Sequence, residues 1–150
     1  MADKIILTDC DGVLLDWEVT FDKWIGKKGY KFNPNNNDQY SINARYNIPH
    51  GQGSDVVEEF NKSSEFEQLG IWRDSVEYVK QLAEQGWRFV VITTAGSHPL
   101  TYGMRMNNLE NVFGKGVILS GYVRISLIFG SSIAYFIAPN SKVINSLVFS

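Results

Sequence analysis

The chain holds a single cysteine, Cys10, so an intrachain disulfide and any zinc site built on several cysteines are excluded. It also lacks an excess of positive charge. Sixteen acids against fourteen bases leave −2, which argues against a nucleic-acid polymer or an acidic membrane surface as partner and leaves small substrates open. The apolar run in MADKIILTDCDG is too short for a signal peptide. In the segment 117–138 the uncharged part, Ile125 to Ala138, has fourteen residues, short of the about twenty that a spanning helix needs, so no membrane partner is expected. A reducing, cytoplasmic setting is the expectation. Histidine is scarce: His50 and His98 stand forty-eight residues apart in loop-like surroundings, and both read as solvated rather than metal-bound. Acids are missing altogether after Glu110. Residues 1–110 carry a balance of −5, residues 111–150 a balance of +3. What is present is enough for one globular domain: 44% hydrophobic residues in 150 bury about two-thirds of the unfolded surface.

Periodicity supplies the elements. KIILT at 4–8 is apolar without alternation and predicts a strand buried on both faces of a parallel sheet. Trp17, Phe21, Trp24 and Ile25 recur at helical spacing before Gly26 and Gly29. Residues 33–53 are rich in turn formers and read as loop, with a turn or two around Tyr40 to Tyr46. Asp55 with Glu58 predicts a capped helix, with room for further helix through Leu69, where Gly70 closes it. Asp74 with Glu77 predicts a second, stopped by Gly86 and followed by the apolar strand in WRFVVITT. A helix over 100–112 and a third strand in GKGVIL complete an α/β, Rossmann-like parallel sheet. The tail from 117 to 150 fits that fold poorly: three β-rich runs follow one another without a helix between them.

The strongest chemical signal is TDCDGVLLDW at 8–17. Asp9 and Asp11, one residue apart where a strand gives way to a turn containing Gly12, place two carboxylates at the carboxyl edge of a parallel sheet, where ligands bind. Close carboxylates repel, so their proton affinities separate unless a cation neutralises both. Magnesium is the natural third party. The plainer reading of Asp9 to Gly12 is a polar turn closing a strand. Asp16 either caps the following helix or lies near the metal. Cys10 has no base placed for it and reads as a small packed residue. Trp17, Phe21 and Trp24 either line a pocket or pack the core. A calcium loop starting at Asp9 is excluded, because Gly12 falls at the fourth position instead of the sixth.

DCDGVLLDW resembles the first motif of the haloacid dehalogenase-like (HAD) phosphohydrolase superfamily, and WRDSVEYVKQLAEQGWRFVVITTAG resembles its second. The likeness spans residues 4–120 and is closest in flavour to small phage-encoded HAD-like hydrolases and 5'(3')-deoxyribonucleotidases. It implies a core of residues 1–15 and 73–150 with a small helical cap inserted at 16–72. It also implies magnesium-dependent hydrolysis of a small phosphomonoester, a nucleotide among the possibilities, through an aspartyl-phosphate. Asp9 is then the nucleophile and Asp11 the acid/base, both beside the metal. Thr93, with Thr94 as neighbour, and Gly12 would contact the phosphate. The family's lysine after the third strand and its late aspartates have no counterpart: Lys115 precedes that strand, and Lys142 lies in the tail. A truncated or frameshifted, non-catalytic remnant is therefore the alternative.

Overall fold

The computed structural model describes residues 4–93, 99–120, 122–128, 131–137 and 147–149, with side chains described up to Ile118 except that of Pro99. It is a mixed α/β protein. Strands β1 (Lys4–Thr8), β4 (Trp87–Val91) and β5 (Ile118–Ser120) form a parallel sheet in the order β1-β4-β5. The register pairs Ile6 with Phe89 and Phe89 with Ile118. Between them run α4 (Ser75–Glu84), where apolar periodicity and the Gly86 stop predict a helix, and α5 (Pro99–Phe113), where a helix over 100–112 is expected.

β1 differs from its expectation. It is a strand, but Ile5 and Leu7 are exposed, Leu7 at 47%. Among the described strands β1 lies at the sheet edge, and an apolar run alone does not reveal which neighbours a strand will have.

The segment between the two motifs leaves and returns at one place. β2 (Leu15–Asp16) pairs antiparallel with β3 (Gly70–Ile71), a two-residue ladder that sets both ends of the segment side by side. α1 (Trp17–Lys27) runs through Gly26, and Gly29 follows its end. The turn-rich stretch contains a 3-10 turn at Pro34–Asn36 and the short α2 (Ile42–Arg45). α3 (Gly53–Asn61) departs from expectation at both ends. It begins two residues before Asp55, which lies in the first turn, where its charge suits the helix dipole, and is not the cap. It stops at Asn61 and does not continue to Leu69; a 3-10 turn at Phe66–Gln68 follows, where Phe66 N donates to Ser63 Oγ at 3.4 Å. Asp74 does stand at the cap position of α4, yet its side chain makes no capping bond. Ser75 Oγ instead donates to the Leu14 carbonyl at 2.9 Å, tying the helix start to the turn after β1.

An aromatic cluster holds this segment against the sheet. Phe21, Phe60 and Phe66 are fully buried. Phe60 meets Phe21 and Phe66 edge-on at 5.2 and 5.8 Å and Trp24 at a tilt at 5.3 Å, spacings at which ring quadrupoles attract. The same cluster includes Leu14, Val79, Phe89, Leu109 and Ile118, so one apolar core serves both parts.

The tail expected to be anomalous from 117 is divided. Its first piece, β5, completes the parallel sheet. β6 (Tyr122–Ile128), β7 (Ser131–Ile137) and β8 (Leu147–Phe149) form a separate antiparallel sheet in the order β6-β7-β8. Among the described residues no helix is long and apolar enough to cross a membrane.

Candidate active site at the end of the parallel sheet

Immediately after β1 the chain makes a tight turn. Leu14 N and Leu15 N both donate to the Cys10 carbonyl, at 2.9 and 3.0 Å, and Gly12 N donates to the Leu15 carbonyl at 2.9 Å. Gly12 has φ +72°, a conformation that costs an L side chain steric strain. The turn keeps Asp9 and Asp11 on the cleft and buries Cys10 between them. Burial pushes the Cys10 thiol up to about 12, with the Arg105 guanidinium opposing and the two aspartates assisting. It packs as a small apolar group, as expected.

Asp9, Asp11, Gly12 and Thr93 line one cleft of about 640 Å³. Thr93 follows β4, which pairs with β1, so two neighbouring strand ends deliver these residues. Trp17, Glu18, Asp38, Gln39, Tyr40 and Arg45 from the inserted segment close the other side. Thr94, His98 and Lys142 lie outside the described residues. Lys115 is exposed in the turn before β5, and His50 is exposed in a turn.

The Asp9 side chain is fixed by its own backbone: Cys10 N donates to Asp9 Oδ1 at 2.6 Å. Asp11 is held differently. Arg105, from α5, donates through Nη1 to Asp11 Oδ1 and through Nη2 to Oδ2 at 3.1 Å, a two-pronged pair. Burial raises the Asp11 carboxyl above the ordinary carboxylate range; Arg105 opposes that rise and the Asp9 charge adds to it. Arg105 itself is 2% exposed and lies over the Phe66 ring at 4.5 Å.

Arg105 was not among the residues expected from sequence. Thr101, Arg105, Asn108 and Leu109 are all buried and follow the i, i+4, i+7, i+8 pattern. An arginine in register with Leu109 on a helix is the signal that marks it.

The remaining open alternatives resolve geometrically. Asp16 is the helix cap: its Oδ1 accepts from Val19 N at 3.1 Å. Trp17 lines the cleft, stacked on Phe21 at 4.5 Å, while Phe21 and Trp24 pack the core. Arg45 is paired with Glu18 and lies over the Phe32 ring at 5.6 Å.

Magnesium, which the sequence resemblance implies, requires several hard oxygen donors. The cleft offers the Asp9 carboxylate, but both oxygens of Asp11 are engaged by Arg105. Among the described residues no group of three His, Cys, Asp or Glu is placed to hold an ion. This donor set does not fit a tightly held divalent ion. Compared with known protein families and with curated proteins, the chain matches none.

Proposed function

We propose that the chain is a phosphomonoester hydrolase of the HAD type, built on a Rossmann-like core with the segment 16–72 as cap, and that it acts on a small phosphate ester through an aspartyl-phosphate. The supporting observation is the convergence of Asp9, Asp11, Gly12 and Thr93 on one cleft at the ends of two paired parallel strands. Asp9 attacks phosphorus with the carboxylate oxygen not held by Cys10 N, forming an O–P bond as the ester oxygen leaves. Asp11 gives the leaving oxygen its proton and afterwards takes one from the water that opens the acyl-phosphate. A carboxyl raised by burial suits the donor half of that task. The Thr93 hydroxyl donates to a phosphate oxygen. Magnesium dependence belongs to the same reading, with the ion held weakly because Asp9 is its one uncommitted carboxylate among the pair. So does a reducing, cytoplasmic setting, since the one cysteine is a buried thiol.

A second reading, a phosphate-binding remnant without turnover, is favoured by the Arg105 clamp: a proton reaching Asp11 must displace one of two hydrogen bonds. Phosphate release from p-nitrophenyl phosphate with added magnesium separates the two. The hydrolase reading expects turnover that falls by several orders of magnitude in Asp9→Asn, which preserves size and removes the attacking charge. Absence of turnover in the parent chain favours the remnant, and normal turnover in Asp9→Asn removes Asp9 from the chemistry.

A further inference from the structure

The charges lining the cleft oppose the ligand proposed for it. Asp9, Asp11, Glu18 and Asp38 face it against Arg45 and Arg105, and Arg45 is already paired with Glu18. A phosphate dianion entering beside Asp9 meets a second carboxylate one residue away. We propose that Arg105 is the resident counter-charge of the aspartate pair: by cancelling Asp11 it lets the cleft accept a phosphate dianion beside Asp9 without a divalent ion. The inference rests on reading the cleft as a phosphate site and assigns that site its cation.

Three observations carry it. The pair is two-pronged, so the guanidinium is held by both oxygens of the Asp11 carboxylate. The cation lies over the Phe66 ring at 4.5 Å, and the neighbouring Asn108 donates to the Phe66 carbonyl at 3.5 Å. Finally, Arg105 Nε is buried with no hydrogen-bond partner among the described residues, while Nη1 has the Cys10 sulfur at 3.5 Å as its second neighbour. A site shaped only for stability would not bury a guanidinium with an unused donor, because replacing a buried ion pair by apolar groups is commonly neutral or favourable. A cation kept at the cleft wall at that cost is explained by the charge it supplies there.

The test is calorimetric titration of the full chain with inorganic phosphate in the presence of EDTA. The parent chain is expected to bind, with affinity changing less than about threefold when magnesium replaces EDTA. Arg105→Met is expected to weaken binding at least tenfold, since it leaves two bare carboxylates at the cleft. The double variant Asp11→Asn with Arg105→Met removes the charge and its partner together and is expected to return to within about threefold of the parent. That variant leaves no buried unpaired charge, so it carries the test if Arg105→Met fails to fold. Binding that appears only with magnesium overturns the inference. So does undiminished binding in folded Arg105→Met, or a folded double variant at least tenfold weaker than the parent. Phosphate binding in EDTA by a chain without turnover contradicts the hydrolase reading and leaves the role of Arg105 standing; turnover without such binding does the reverse.

Discussion

Cys10 shows how strongly one position in the turn is constrained. An ordinary thiol loses its proton near 9, whereas in the fold this one keeps it to about 12 because burial disfavours the thiolate. Between those values the unfolded chain has released a proton that the folded chain retains, so the contribution is full below pH 9 and is lost as pH rises towards 12. Urea unfolding at pH about 8 and about 10.5 is expected to show a larger loss of stability in the parent than in Cys10→Ala. Equal losses would contradict the assignment. Thr93 yields a second residue-scale prediction. Thr93→Val keeps the shape and deletes the hydroxyl, and is expected to weaken phosphate binding by about 1–3 kcal/mol. Equal or greater damage from Thr94→Val would transfer the role to Thr94. That Asp9, Asp11 and Thr93 share a cleft was legible in sequence because Asp9 and Thr93 each follow an apolar run, Asp11 lies two residues beyond Asp9, and a strand end is a local feature. Arg105 was not, because its partner Asp11 is 94 residues away and nothing local to either announces the other.

At the scale of elements, the helices were the readable part. α1 and α4 each follow from side-chain periodicity within a dozen or so residues, α5 runs where a helix over 100–112 was expected, and β4 follows from a continuous apolar run behind a glycine. What escaped depends on distant partners. The β2 and β3 ladder consists of two residues on each side, joined across the whole inserted segment, and has no periodicity to read. The exposure of β1 follows from its place in the strand order, which its own residues do not encode. α1 also permits a clean test of local chemistry, because Asp16 both ends β2 and caps the helix that lines the cleft with Trp17 and Glu18. Asp16→Ala is expected to lower stability by about 0.5–2 kcal/mol, measured by urea denaturation, and Asp16→Asn to recover most of it. A metal ligand at this position would instead show unchanged stability and lost magnesium response.

At the scale of the whole molecule, a parallel sheet and an inserted aromatic-packed segment share one core, and residues of both line the cleft. The proposed hydrolysis requires a covalent bond from Asp9 to phosphorus. The most direct measurement is acid quenching of the full chain during reaction with a phosphate ester, followed by mass spectrometry of the peptide that contains residues 5–22. One added phosphoryl group is expected on Asp9, removed by hydroxylamine as an acyl-phosphate must be and absent in Asp9→Asn. A chain that releases phosphate while every quenched peptide stays unmodified, or that carries the phosphoryl group on another residue, would contradict it.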